Sequence, residues 1–242
     1  MKKLLFFLVL IAFVIGCGTT PEVISPPTNL QVTEADGLKV YFSWTESETE
    51  GIDGYIFQID GEPFDTVTTV STAEIEPNKL GVITLVAYKG DNISEPSNSV
   101  DLNAYVVTGG PDTIWYYDSN NPSGYGWDPD GEGTVYNFQA ADSLNIDIYL
   151  DRDFDIASPS TYAKWLTTYI TKVDGDVDVA PDEIETKAES ADTGYFVIRL
   201  PDHGPEGGDQ FVKLHVTSVN TTDSSIVFEY TFQKLENYRR FK

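Results

Sequence analysis

A single cysteine among 242 residues excludes an intramolecular disulfide, so folding must be stabilised by core burial. Histidine is almost as scarce, with only His203 and His215, and no zinc-binding spacing of cysteines and histidines occurs. Basic residues are few: 15 against 39 acidic ones, a net charge of −24. Such a surface repels phosphate backbones, which excludes nucleic acid as a partner, and it also repels anionic lipid headgroups. There is no phosphate-binding glycine loop, no nucleophile elbow and no Arg-Gly-Asp tripeptide. The longest N-terminal apolar run, from Leu4 to Ile15, is too short to span a bilayer, which takes about 20 residues as a helix.

What is present begins at that run. Met1-Lys2-Lys3, the apolar stretch and Gly16-Cys17 follow the charged, apolar, small order of a secretory signal. Val14-Ile15-Gly16-Cys17 resembles the lipobox of bacterial lipoproteins, in which the thiol is acylated and the chain is cut just before it. The resemblance implies a signal peptide over residues 1–16 and a lipid anchor, such as palmitate, on Cys17. Two or more acyl chains hold a protein stably at a membrane, whereas one does so only marginally. Residues 17–26, with Pro21 and Pro26, read as an acylated tether reaching on the order of 30 Å. Gly18 stands where an aspartate retains many lipoproteins at the inner membrane, so the resemblance favours the outer membrane.

From Pro27 the chain alternates with the period of strands. Leu30 and Val32, then Val40, Phe42 and Trp44, then Tyr55, Phe57 and Ile59, each mark one face, and Asp60-Gly61 signals a hairpin. Pro27-Thr28-Asn29-Leu30-Gln31-Val32, Trp44, Ile52-Asp53-Gly54-Tyr55 and Val86-Ala87-Tyr88 with Glu95-Pro96-Ser97 resemble a fibronectin type III domain, over residues 27–107. That family usually carries a tyrosine six residues before the position of Ala87. Here it is Gly81, which implies a rearranged corner. In secreted bacterial proteins the resemblance implies a spacer or an ancillary binding unit.

Val107-Thr108-Gly109-Gly110-Pro111 punctuates the chain as a domain boundary. Residues 112–242 are again strand-like. Leu144, Ile146, Ile148 and Leu150 alternate with polar residues, Tyr195 to Leu200 is strongly apolar, and two alternating runs around Leu214 and Phe228 predict a long hairpin. Thr161 to Lys172 is the helix candidate, weakened by its threonines and aromatics. The fold expected is all-β: two β-sandwich domains, the first fibronectin type III-like and the second jelly-roll-like or another sandwich. Val135-Tyr136-Asn137-Phe138, Ile146-Asp147-Ile148 and Ile156-Ala157-Ser158-Pro159 loosely resemble the β-domains of secreted lipoproteins of unassigned function.

Several groups could carry chemistry. Asp174, Asp176, Asp178, Asp182 and Glu185 space carboxylates as a calcium loop does, although Val179 occupies the place where the sharp turn needs glycine. The same residues also read as a solvated acidic turn. Asp151, Asp153 and Asp155, and Asp128 with Asp130 and Glu132, are poorer versions of the same pattern. Trp115, Tyr117, Tyr125 and Trp127 concentrate aromatics in the stretch 114–133, where they are either a sugar-stacking platform or rings that pin a loop to the sandwich. His203 and His215 are the pair available as haem ligands. Paired carboxylates for glycoside hydrolysis are available in number. The function expected is an envelope-anchored, non-catalytic binding or structural module, with a membrane partner through its lipid and a glycan or envelope protein as ligand. The alternatives are a carbohydrate-binding lipoprotein using the aromatic stretch and, third, a glycan-acting hydrolase.

Overall fold

The computed structural model describes residues 22–68 and 70–242. Cys17 and the expected signal peptide, residues 1–16, lie outside the described residues. Helix is confined, among those residues, to three short 3-10 turns, and everything else regular is strand.

The first unit is built from β1 (Thr28–Asp36), β2 (Lys39–Thr45), β3 (Gly54–Ile59), β4 (Glu62–Val67), β5 (Thr72–Ile75), β6 (Val82–Lys89), β7 (Asn92–Ile93) and β8 (Val100–Asp101). One sheet runs β1-β2-β5 and the other β4-β3-β6-β7, with β8 also paired to β6. The alternation read in the sequence supplies the interior: Val40, Phe42 and Trp44 from one sheet meet Tyr55, Phe57, Ile83 and Leu85 from the other. Trp44 stands edge-on to Tyr55 and Phe57, at centroid distances of 5.3 and 5.6 Å, a favoured aromatic geometry. Three strands packed on five, all antiparallel, form a fibronectin type III-like sandwich.

Asp60 and Gly61 both take positive φ, 54° and 84°, as the predicted hairpin turn requires. Gly81 explains the altered corner. A β-carbon there would press on Ile59 and on the Asp60 carboxylate. With none, Asp60 Oδ1 accepts the Val82 N–H at 3.0 Å and Oδ2 takes the Lys79 ammonium. An acidic side chain closes the corner in place of a tyrosine.

The second unit contains β9 (Val106–Trp115), β10 (Gly124–Trp127), β11 (Gly133–Tyr136), β12 (Ile148–Leu150), β13 (Asp155–Ala157), β14 (Tyr169–Val173), β15 (Ala188–Ser190), β16 (Gly194–Leu200), β17 (Gln210–Asn220) and β18 (Ser225–Gln233). Its two five-stranded sheets run β11-β10-β12-β13-β15 and β14-β16-β17-β18-β9. Ile148, Leu150 and Ile156 from the first pack on Phe196, Ile198, Leu214 and Phe228 from the second. The predicted hairpin is β17–β18. The strongly apolar run of β16 has its own cause: Val197 points away from the main core into a smaller one with Ala180, Ile184, Phe211 and Phe241, so this part of the strand is covered on both faces.

The change of unit falls at Tyr105 and Val106, beside the boundary read at Val107 to Pro111, and those residues lie inside β9, paired with β18 through a bulge opposite Phe228 and Tyr230. Two expectations are corrected. Thr161 to Lys172 is no helix. A 3-10 turn covers Pro159–Thr161 and β14 begins at Tyr169, in keeping with the strand preference of β-branched and aromatic residues. Leu144, expected in the interior, is 78% exposed, because β12 begins only at Ile148.

Residues 234–241 tie the units together. The Gly37 N–H donates to the Asn237 carbonyl and the Arg239 N–H to the Gly37 carbonyl, both at 2.9 Å. Between them Tyr238 is buried in the core of the first unit, while Phe241 enters the small core of the second.

Candidate functional site

The outer face of the β11-β10-β12 sheet carries the densest grouping of side chains with binding potential. Alternation puts Tyr125 and Trp127 inward on β10 and Gly124 and Gly126 outward. Bare glycines on that outer face let Ile146 and the 145–147 backbone lie against the sheet, where a β-carbon on Gly126 would meet the Asn145 carbonyl. Asp147 and Tyr149 follow on the same side of their strand, and two segments, 136–145 and 158–168, flank them.

The 158–168 segment is tightly held. Ser158, fully buried, accepts the Thr168 N–H on Oγ at 2.9 Å, and its own N–H donates to the Lys187 carbonyl at 2.7 Å. The Thr168 hydroxyl donates to the Asp147 carbonyl at 2.7 Å. Thr161 shares a hydrogen bond with the Tyr149 hydroxyl at 3.0 Å. These bonds present Tyr162 and Trp165 at the surface. Phe138 stacks on Tyr149, with centroids 4.1 Å apart and planes 13° from parallel. Trp165 and Tyr162 lean on Phe138 at 4.8 and 5.1 Å and meet each other at 5.7 Å and 57°. Tyr117 joins from the end of β9, 6.2 Å from Phe138, with its hydroxyl near Arg152. Tyr162 is 57% exposed.

Beside this cluster a cleft of about 450 Å³ opens between Thr134, Tyr136, Leu166 and the 200–203 turn, with Asp147 at its base and His203 at one end. The Asp147 carboxylate is 3% exposed at residue level. Its Oδ2 accepts the Trp127 N–H at 2.9 Å and lies 3.8 Å from His203 Nε2. Burial raises its pKa to about 6, against the opposing pull of His203 and of the Trp127 N–H. His203 is held by both ring nitrogens. Gln210 donates both protons of its amide to the Pro129 and Lys234 carbonyls, so its oxygen faces His203 Nδ1 at 2.6 Å. Nε2 faces the Trp127 carbonyl at 2.9 Å.

The predicted aromatic platform is thereby redrawn. Tyr125 and Trp127 lie in the main core, stacked edgewise on Phe228 and Tyr230, and are closed to a ligand. Trp115 is half-buried at the end of β9, opposite Ser225. Only Tyr117 of the four belongs to the surface cluster. Phe138, Tyr149, Tyr162 and Trp165 were missed because they are distant in sequence. The available signal was Tyr149, an aromatic at an outward position of an alternating strand.

The calcium loop is not formed either. Asp176 Oδ1 accepts from Lys213 Nζ at 2.6 Å and Oδ2 from Lys242 Nζ at 2.6 Å, Asp178 lies 3.3 Å from Lys242, and Asp182 pairs with Arg239. Lys213 is buried on β17 and needs a counter-ion, which draws Asp176 away from any shared centre. Asp174 and Glu185 are exposed, and among the described residues no group of three or more acids, histidines or cysteines could hold a metal. The other acidic runs are turn caps. Asp151 Oδ1 accepts the N–H groups of Asp153 and Asp155, and Asp128 Oδ1 those of Asp130 and Glu132. The histidines do not form a haem pair. His203 is bound as described, and His215 stacks on Tyr195 at 4.2 Å in a different groove.

No family model matches this chain, and no curated protein does. A solved structure described as titin kinase and its flanking domains aligns at 12% identity and a TM-score of 0.27, over 88% of this chain and 38% of that one. This chain therefore corresponds to well under half of that structure's length.

Proposed function

We propose that the protein is a cell-envelope lipoprotein and a non-catalytic binding module, held by acyl chains on Cys17 at the outer membrane. In this reading the fibronectin type III-like sandwich is the spacer, and the second sandwich presents the outer face of its β11-β10-β12 sheet. The observation that carries it is the aromatic cluster of Phe138, Tyr149, Tyr162 and Trp165, displayed by a segment whose hydrogen bonds fix it before any ligand arrives. Preorganised contact surface of this kind lowers the entropic cost of binding. The tie at Tyr238 supports the spacer role, since it joins the two units as one arm.

The cleft carboxyl with a raised pKa, Asp147, is buried and already engaged by Trp127 and His203, which reads as a structural role for that group.

Labelling of cells with a palmitate analogue tests the anchor. The wild-type chain incorporates the label and fractionates with membranes, whereas Cys17→Ser does neither. A wild-type chain that stays unlabelled and soluble would overturn the anchored reading.

A further inference from the structure

We infer that the cleft over Asp147 is a binding site for a free aliphatic polyamine. The site is distinct from the aromatic cluster and does not depend on the role given to that cluster.

The first argument is an unpaired oxygen. The Asp147 side chain is 4% exposed, and the structural contacts that hold it use Oδ2 alone. Oδ1 accepts no hydrogen bond from the described residues and is not sealed in, so it opens on the cleft that Asp147 lines. His203 does not neutralise the carboxylate directly, since its Nε2 faces the Trp127 carbonyl and stands 3.8 Å from Oδ2. With a pKa of about 6 the carboxyl is mostly ionised at neutral pH, and a buried carboxylate calls for a hydrogen-bonded cation. The second argument is charge. Apart from His203, the charged side chains lining the cleft are all acids: Asp147 at the base, with Asp128, Glu132 and Asp202 exposed around it. Lys164, on the flanking 158–168 segment, does not line it. The −24 of the whole chain adds a field that draws cations in. The third argument is the class of cation. Among the described residues no three such groups come together to hold a metal ion. Acids spread in this way suit ammonium groups spaced along a flexible chain, each with three N–H donors. Leu166, Leu200 and Pro201 give the intervening methylenes an apolar wall, and about 450 Å³ is the size of a small-molecule site.

The test is calorimetric titration of the full chain in detergent, at physiological salt, with spermidine. Magnesium and oligolysine serve as comparisons. Spermidine is expected to saturate one site at or below millimolar concentration and to raise the melting temperature. Asp147→Asn keeps an acceptor for the Trp127 N–H but loses the charge, and should weaken spermidine about tenfold or more. Glu132→Gln with Asp202→Asn changes two exposed side chains, and should weaken spermidine about threefold or more. This second variant should keep the melting temperature of the free wild type, so it separates lost binding from lost folding. Failure of spermidine to saturate overturns the assignment. So does binding that survives Asp147→Asn, which is attraction to the acidic surface at large, or unchanged affinity in the rim variant. Magnesium that displaces spermidine at equal concentration reduces the site to a counter-ion atmosphere, and oligolysine that binds more tightly per ammonium makes the occupant a peptide. Either result also overturns the polyamine.

Discussion

Tyr238 of the second unit is buried in the core of the first, its flanking backbone hydrogen-bonded on both sides to Gly37. The ring packs among side chains of the fibronectin type III-like sandwich, and Leu235 lies against the same core. Each unit has its own two-sheet core, yet the first is completed by a residue 133 positions beyond Tyr105, where its own strands have already ended.

This relationship predicts that Tyr238→Ala destabilises the first unit by about 3–5 kcal/mol, the usual cost of deleting a large aromatic side chain from a core. Tyr238→Phe should cost under about 1 kcal/mol, because the hydroxyl lies near Arg240 without a well-formed hydrogen bond. Urea unfolding followed by Trp44 fluorescence, with the other tryptophans replaced by phenylalanine, measures both. Equal effects of the two substitutions would count against the packing role.

Asp147 predicts a pH dependence of definite sign. Its folded pKa, about 6, lies above the ordinary 3.8, so the folded chain binds the proton more tightly than the unfolded one. Stability from this group is full below about pH 4 and is lost as pH rises through 6, by on the order of 2–3 kcal/mol. Asp147→Asn keeps an acceptor for the Trp127 N–H and removes that dependence. The stability of the wild type minus that of the variant should therefore fall between pH 4 and 6 and stay level above 7. A flat difference across that range would contradict the burial argument.

Asp176 and Lys213 form the pair that replaces the expected calcium loop. Asp176→Ala leaves a buried ammonium with only the Val177 carbonyl, and should cost about 3 kcal/mol. Lys213→Met with Asp176→Ala should restore most of that loss, because an apolar pair of similar volume avoids the desolvation penalty. Exchange of a chelator for calcium should leave the melting temperature unchanged in the wild type. A calcium-dependent rise would return the loop to consideration.

Ser158 anchors the surface segment through its bonds to Thr168 and Lys187. Ser158→Ala leaves the buried Thr168 N–H without its acceptor, at a cost of about 1–3 kcal/mol. Proteolysis within residues 160–167 should then become faster while the β17–β18 hairpin stays protected in hydrogen exchange. Unchanged cleavage would show that the segment is held by other contacts.

Much of this arrangement was legible in the chain itself. Alternation around Phe42, Phe57 and Leu214 identified strands and their inward faces, because a sandwich buries every second residue. The Asp60-Gly61 turn was legible because it needs two residues that tolerate positive φ. Local rules failed where the deciding partner was far away. Nothing near Asp176 announces Lys213, so a carboxylate used as a counter-ion looked like a metal ligand. Gly109-Gly110-Pro111 has the composition of a linker, yet β18 recruits it into a sheet. Tyr125 and Trp127 looked like loop aromatics because their flanking glycines resemble turn residues. Those glycines instead leave room on the opposite face of a strand. The surface cluster draws five rings from four separate segments, at 117, 138, 149 and 162–165, and no short window of sequence contains it.

The central claim is that the outer face of the second sandwich binds the envelope through Tyr162 and Trp165. Co-sedimentation of the purified chain, lacking residues 1–17, with isolated cell envelope measures it most directly. The account predicts that the wild type sediments with envelope and that the Tyr162→Ala, Trp165→Ala double variant, folded as judged by circular dichroism, stays in the supernatant. Equal sedimentation of the two would contradict it.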